Sequence, residues 1–158
     1  MSVTTAAGTR ISIGPRLTAD LPKTSAAAIT LLSGLTYVAV GEVENIDDYG
    51  DETGDVTFAA LADSRTRHLK GLDDAGSVAL TIGLDSSDAG QLALVAAQKD
   101  RNRFDYPFKV EYLDGTIDYF AAKVMSNKKG VGGAEDVIKR NVTIGINSAI
   151  YDVQAPAA

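Results

Sequence analysis

Hydrophobic residues alternate with small or polar residues along much of the chain, a period of two that is typical of half-buried β-strands. The clearest case is SVALTIGL at Ser77–Leu84, in which every second residue is a large aliphatic one. In Phe104–Leu113 the same alternation places aromatic and aliphatic side chains on one face. Less regular patterns predict further strands within residues 10–17, 34–44, 56–62 and 138–147. The chain is therefore predicted to be mainly β.

The dipeptide Asp114–Gly115 directly follows the aromatic strand and predicts a hairpin. It favours a two-residue type I′ turn, because both turn positions need φ > 0. Such a turn would set Glu111 opposite Asp118, and like charges facing each other across strands are destabilising. We therefore expect either that Lys109 screens this pair or that the turn is longer.

One segment is predicted to be a helix, over about residues 87–100. Asp88 and Gln91 stand three residues apart, as in a capping box, and an Ala-rich run with helical spacing follows them. Lys99 near the end suits the negative C-terminal end of the helix dipole. We expect this helix to cover one face of the sheet or to plug an open end of a barrel.

Long polar segments separate these elements within what the length predicts to be one domain, 1–158. Long structureless loops inside a compact domain are uncommon, and those that occur are often functional or ordered by a partner. We therefore expect an assembly protein with these segments: a flexible N-terminal arm (1–10), a long loop (45–70), a Gly-rich loop (126–135) and a C-terminal tail (148–158).

Composition narrows the chemistry that the chain can carry. It has no Cys, no Trp and one His, at position 68. Thiol nucleophiles, CxxC redox pairs and Cys-containing zinc sites are therefore excluded, and we predict no enzymatic activity, no cofactor and no metal. The net charge is −6, with 21 Asp plus Glu against 15 Lys plus Arg. General nucleic-acid binding would require a basic face instead.

The first ten residues, MSVTTAAGTR, are small and polar and do not resemble a secretory signal. No stretch approaches the ~20 apolar residues of a membrane span. We therefore expect a soluble product that folds where it is made.

Charge is concentrated in two neighbouring segments. Glu42–Asp55 carries seven carboxylates and no cation, whereas Ser64–Lys70 carries three cations and His68. The carboxylates could supply the oxygen ligands of a calcium loop. However, Tyr49 and Thr53 stand where alternate ligands of an EF-hand loop are needed. A solvated acidic loop or an electrostatic docking surface is the preferred interpretation.

Other sites are less well supported by the residues. Gly130, Gly132 and Gly133 lack the GK[ST] sequence and the following helix of a phosphate-binding loop. His68 lies among cations, which oppose its use as a general base. A carboxylate-based hydrolase would need two buried carboxylates with separated pKa values. The alternative function class that stays open is an isolated β-sandwich module that binds carbohydrate or calcium.

Several phrases follow one another in a definite order along the chain. VGEVENI at Val40–Ile46 is followed by a polar loop and then by FAALADSRTRHLKGLDDAGSVALTIGLD at Phe58–Asp85. The helix, the DGT hairpin and the Gly-rich loop come next. This order resembles that of the tail tube proteins of long-tailed bacteriophages, whose phrase K-G-L-x-D-x-G is matched at Lys70–Gly76, and the resemblance extends over Ile11–Tyr151.

The resemblance implies a β-sandwich or barrel-like protomer with one flanking helix, similar to the type VI secretion tube protein. It implies a structural virion protein that polymerises as stacked hexameric rings into the hollow tail through which DNA passes. Tape-measure, tail tip or baseplate, and terminator proteins are the implied partners, with no membrane involved. Assembly in the host bacterial cytoplasm is implied too.

Tubes of this family use the long loop, the termini and strand edges for subunit contacts, and their lumens tend to be acidic. Val40–Val43 matches the family's strand phrase. Glu42 within this phrase and Glu44 directly after it are the candidates for residues that place negative charge at the lumen. The acidic and basic segments next to each other suggest docking between rings, while edge pairing would close each ring. The predicted contact residues are Asp47, Asp48, Tyr49, Asp51 and Asp55, with Arg65, Arg67 and Lys70 as complementary cations.

Overall fold

A computed structural model describes residues 3–154 and contains one eight-stranded antiparallel sheet and a separate two-stranded hairpin. Residues 1–2 of the predicted arm and 155–158 of the predicted tail lie outside the described residues. In chain order the elements are β1 (Arg10–Ile13), α1 (Ser25–Ser33), β2 (Val38–Ala39), β3 (Val43–Ile46), β4 (Glu52–Phe58), β5 (Arg67–Asp74), β6 (Ser77–Gly83), α2 (Ala89–Lys99), β7 (Tyr106–Glu111), β8 (Ile117–Gly130), β9 (Lys139–Ile146) and β10 (Tyr151–Val153).

The large sheet is rolled so that its two edges come close together. Its strand order is β2-β1-β7-β8-β9-β6-β3, so β2 and β3 lie at opposite edges, yet only Val40–Glu42 separates them in the chain. An extended chain spans at most ~3.6 Å per residue, so the edges lie within about 14 Å of each other. The Val40 amide donates to Ile11 O at 2.9 Å, and the Gly83 amide donates to Glu42 O at 2.8 Å. The mainly β, barrel-like fold is confirmed.

The prediction of one strand over 34–44 is wrong, because the segment is split. Glu42 adopts a φ of 60°, the only positive φ outside glycine among the described residues, and this turn separates β2 from β3. Closing the sheet requires the chain to leave one edge and join the other within three residues. A continuous strand cannot do this.

The structure contains a second helix, α1, whereas the sequence predicts only one helix, over about residues 87–100. Its sequence, SAAAITLLS, contains the strong helix formers Ala and Leu, and Gly34 caps its C-terminal end by donating to Leu31 O. The side chain of Thr24 at the N-cap makes no capping hydrogen bond, and the first and last turns carry no charged residues. The helix therefore lacks the capping box and the basic last turn by which α2 was predicted, and Thr24 and Gly34 are its only end signals.

The hairpin that joins β7 to β8 has a three-residue loop, Leu113–Gly115, so the predicted two-residue turn is wrong. The Tyr112 amide donates to Thr116 O at 2.9 Å, and Gly115 has a φ of 93°. The extra residue shifts the register by one and places Glu111 opposite Ile117. The expected alternative of a longer turn is confirmed, and the carboxylate pair predicted for Glu111 does not form.

The Gly-rich segment is shorter than predicted. β8 continues for 14 residues as far as Gly130 and pairs with β9, after a bulge at Met125. Only 131–138 connects the two strands. Within this connection Asp136 Oδ2 accepts a 2.7 Å hydrogen bond from the Gly133 amide. The loop predicted over 126–135 is therefore strand in its first half, because the facing residues of β9 satisfy its backbone.

The core fills the inside of the rolled sheet. Alternate residues of β6 and β9 point inward, as their hydrophobic pattern predicts. Phe108 and Phe120, opposite each other on β7 and β8, stack with ring centroids 5.6 Å apart. The most deeply buried side chains of this cluster are Ile11, Ile13, Val78, Leu80, Ile82, Leu94, Phe108, Val110, Phe120, Val142 and Ile144.

Helix α2 confirms the prediction for 87–100, and its first turn is fixed to the link that closes the barrel. Asp88 Oδ2 accepts from the amides of Gln91 and Gly41, each at 3.0 Å. A Cβ atom on Gly90 would collide with Ala39 O and come within 2.6 Å of Val40 Cα. Glycine at position 90 therefore lets the helix backbone lie directly against the link.

The side chain of Gln91 is fully buried and makes three hydrogen bonds. Its Nε2 donates to Gly83 O at 2.8 Å and to Gly41 O at 3.2 Å, while its Oε1 accepts from the Asp85 amide at 3.1 Å. A capping box would have turned this side chain back toward Asp88. Instead, Gln91 connects the helix, the closing link and the end of β6.

We expect Gln91→Met to destabilise the isolated subunit by roughly 3 kcal/mol, because two carbonyl groups and one amide of partly buried residues lose their partner. Methionine keeps the length of the side chain, so the loss of hydrogen bonds dominates over the loss of packing. Gln98→Met, on the last turn of the same helix and partly exposed, is the control. Urea unfolding followed by circular dichroism measures both, and equal midpoints would contradict the assigned role.

Candidate functional site

Strands β4 and β5 form a hairpin that projects from the barrel as a sheet of its own. Their register pairs Asp55 with Lys70, Val56 with Leu69 and Phe58 with Arg67. Every residue of β4 is exposed, and so is every residue of β5 except the half-exposed Gly71. Half of the long loop predicted over 45–70 is thus strand. An isolated two-stranded hairpin is marginally stable in water, so this element gains from a partner.

One face of the hairpin is apolar although it is open to solvent. Residues paired across two strands share a face, as do alternate residues of one strand. Val56, Phe58 and Leu69 therefore share a face, here called the apolar face of the hairpin, with exposed fractions of 50%, 55% and 57%. Leu61, in the connection at the tip, is fully exposed. Contiguous exposed apolar surface of this kind marks interaction sites.

The cations predicted to complement the acidic segment lie toward the far end of the hairpin. Arg67 pairs with Asp63 at 2.6 Å, and His68 pairs with Asp55 at 2.9 Å. Arg65 lies in the connection between the strands, and Lys70 faces Asp55. Exposed ion pairs of this kind contribute only about 0–1 kcal/mol each. The structure thus places Asp55, Arg65, Arg67 and Lys70 on one element.

Asp47, Asp48 and Asp51 lie at the root of the hairpin, where they line a groove of about 920 Å³. The predicted N-terminal arm borders it, since residues 4–6 and 9 also line the groove. The described lining residues include no Lys or Arg. Six carboxylates line it in all: Glu44, Asp47, Asp48, Asp51, Asp118 and Asp152.

Tyr49, predicted as a contact residue, anchors the root to the barrel. Its hydroxyl donates to Asp118 Oδ2 at 2.5 Å and contacts the hydroxyl of Tyr112, which donates to the same oxygen at 2.9 Å. Its ring packs against Phe120, with centroids 5.8 Å apart. Burial, more than the hydrogen bond to Asp118, raises the pKa of Tyr49 far above its usual value, and burial likewise raises the pKa of Tyr112 to about 12.

Sequence reasoning missed part of this groove. Asp152 lies directly opposite Asp118 in the pairing of β10 with β8. Like charges in that arrangement repel each other. The two residues are 34 positions apart, so only the pairing of the last strand brings them together. The exposed pair Val56 and Phe58 did carry a signal, since both lie within the strand predicted at 56–62.

Of the two candidates for lumen charge, Glu42 lies in the closing link and Glu44 on β3. Glu44 forms a 2.8 Å ion pair with Lys139 on β9, although both side chains are well exposed. Their orientation toward a lumen stays a prediction.

Two further features concern membrane and metal sites within residues 3–154. None of the helices there is long and apolar enough to cross a membrane. In the same residues no three His, Cys, Asp or Glu side chains are arranged to hold a metal ion.

The projecting hairpin and its groove belong to a chain that matches a known family. The sequence model described as "Lambda phage tail tube protein, TTP" matches residues 23–151. The chain belongs to this family. The predicted tail tube membership is confirmed, and with it the role of a structural tube protein. No curated protein matches the sequence of this tail tube protein.

Solved structures with the same fold come from several tail systems. The tail of an empty gene transfer agent particle, refined with C6 symmetry, is 16% identical, with 98% of this chain and 100% of that chain covered and a TM-score of 0.62. The SPP1 tail tube is 13% identical, with coverages of 91% and 75% and a TM-score of 0.58. The sheath/tube terminator of the extracellular contractile injection system PVC is 7% identical, with coverages of 98% and 99% and a TM-score of 0.67. At these identities the likeness concerns the fold.

We expect the free energy of unfolding of this tail tube protein to fall as pH rises from about 10 through 12. The unfolded chain releases tyrosine protons near pH 10, whereas Tyr112 retains its proton until about pH 12 in the folded protein. The stabilisation is complete below pH 10 and is lost as pH rises through the folded pKa. Because Tyr112 is only half-buried, its share should not exceed about 1 kcal/mol.

Tyr112→Phe should therefore show a shallower alkaline loss than the unchanged protein in urea unfolding at pH 9, 10 and 11. Tyr151→Phe, on β10 and outside the hydrogen-bonded cluster, is the control. Identical pH profiles for the two variants would contradict this account.

Proposed function

We propose that this protein polymerises as stacked hexameric rings to form the hollow tail tube that conducts DNA during ejection, without enzymatic activity of its own. Family membership supports a tube role, and the apolar face of the hairpin is the observation that carries the proposal further. A monomer leaves Val56, Phe58 and Leu69 in water, whereas stacking of subunits buries them. Burial of apolar area contributes about 25 cal/mol per Å².

Two kinds of interface are needed to build such a tube. A ring needs a heterologous contact that closes on itself, and stacking needs a second, open-ended contact. We assign ring closure to strand-edge pairing. β10 pairs with β8 alone among the described strands, which leaves one of its edges available. Stacking is assigned to the projecting hairpin with the predicted contact residues of 47–70.

The charge of the protein suits a conduit. Lys or Arg side chains that pair with phosphates would add a salt-dependent attraction and slow the passage of DNA. A net charge of −6 repels the phosphates instead. Glu42 and Glu44 are the proposed contributors at the lumen.

The proposed location is the virion tail, with assembly in the host bacterial cytoplasm. Tape-measure, tail tip or baseplate, and terminator proteins are the proposed partners. Among solved structures with this fold, one is a sheath/tube terminator and another comes from an injection-system baseplate. These likenesses favour partners of the same classes for this chain.

A triple variant with Ser in place of Val56, Phe58 and Leu69 should fail to form tubes, while its barrel stays folded. All three side chains lie outside the hydrophobic core, so their loss removes contacts that only a neighbouring subunit supplies. Size-exclusion chromatography at high concentration and negative-stain electron microscopy provide the readout, with circular dichroism to check the fold.

Leu92→Ser, with a similarly exposed leucine on helix α2, is the matched control and should form tubes. Normal tubes from the triple variant would contradict the role of the apolar face. A parent protein that stays monomeric at every concentration, and that melts at a higher temperature with calcium or an oligosaccharide, would favour a binding module instead.

A further inference from the structure

We propose that the stacking contact is head-to-tail: the apolar face and basic end of one hairpin dock in the acidic groove at the hairpin root of a second copy. This inference rests on the proposed function and names the receiving surface. It predicts a contact between two different surfaces, which repeats without closing.

The hairpin segment carries opposite charge at its two ends. Residues 44–55, which form the root and the start of β4, contain six carboxylates and no cation. Residues 56–70, which contain the apolar face and the tip, hold three cations against the single carboxylate of Asp63. Each copy therefore offers a basic end and an acidic end. Opposite potentials on the two surfaces favour encounter in one orientation.

The groove matches the hairpin in its apolar surface too. Val43, Ile46 and Ile150 line it and are partly buried hydrophobic residues packed against the core. Its volume of about 920 Å³ lies at the upper end of the ~300–1,000 Å³ of ligand-sized cavities, so several side chains fit. A groove lined by both apolar and carboxylate side chains is complementary to apolar side chains flanked by arginines.

A second observation points to a cation in this groove. Asp118 is only 9% exposed, and Asp152 lies directly opposite it on the neighbouring strand. Both carboxylates line the groove. A guanidinium or ammonium group docked there would relieve their repulsion.

The occupant has to come from another copy. Asp51, at the groove, directly precedes β4, and Phe58 ends that strand seven residues later. A strand rises about 3.3 Å per residue, so the far end of the hairpin lies roughly 23 Å from its own root. An extended hairpin cannot fold back into its own groove, whereas the hairpin of a second copy is free to dock there.

Charge reversal at both ends tests this pairing. The tip variant carries R65E and R67E, and the root variant carries E44K, D47K, D48K and D51K, which leaves two carboxylates against four lysines in the groove. Each variant alone should raise the critical concentration for tube formation at least tenfold, because like charges then meet at every contact. An equal mixture should assemble, since the reversed tip fits the reversed root and the unchanged tip fits the unchanged root.

Tubes from the mixture should contain the two variants in a 1:1 ratio, measured by mass spectrometry of pelleted tubes. A protein with all six substitutions should assemble alone, which also shows that the reversed hairpin still folds. Lys128→Glu with Lys129→Glu reverses two exposed cations of β8 and is the control that should assemble normally.

Three results separate the possible failures. An unchanged protein that forms no tubes contradicts the proposed function itself. Tubes from the unchanged protein together with normal tubes from either single-end variant overturn the head-to-tail pairing alone. Loss of tubes in both variants without recovery in the mixture and in the six-substitution protein also overturns it.

Discussion

The link Val40–Glu42 joins opposite edges of one sheet, and the architecture of the protomer depends on it. Because the link has only three residues, its backbone length limits the distance between the two edges and thereby fixes the curvature of the sheet. Hydrogen bonds join the link to β1 and to the end of β6, the strands next to the two edges, and the first turn of α2 lies against it. Gln91 satisfies the backbone groups that this crowding would otherwise leave buried and unpaired.

The hairpin grows out of this rigid barrel but has little stability of its own. Its root is held by Tyr49, which is anchored to Asp118 and Phe120, whereas the part beyond the root has no core to pack against. Ordering a free backbone costs about 1–2 kcal/mol per residue. Contacts with a neighbouring subunit must outweigh that cost, so a hairpin with an apolar face and a charged end suits a surface that forms only during assembly.

The strands that were predicted well are those whose hydrophobic pattern is local and complete. Ser77–Leu84 alternates without interruption, and the observed strand ends one residue earlier. The split after Ala39 could not be foreseen, because it arises from closure of the sheet and not from any local residue signal. The register of the β7–β8 hairpin depended on one extra loop residue, which Asp114–Gly115 alone does not determine.

The candidate site likewise has a part that the sequence predicts and a part that it does not. The charged residues of 47–70 were found because charge clusters are visible in sequence, and the family was identified because its phrases occur in order. The groove was not found, because Asp118 and Asp152 meet only through pairing of the last strand. The apolar face was missed because a strand was predicted at 56–62 but not its partner β5, so the pairing of Val56 with Leu69 was not foreseen.

Opposite charge at the root and the tip of the hairpin has a consequence for the whole polymer. If every tip docks in the root of the next copy, a finished tube has one rim of unoccupied acidic grooves and one rim of unoccupied basic tips. The two rims then attract different proteins. An initiator and a terminator with opposite surface charge would each bind at only one end, so the direction of growth would already be encoded in the single subunit.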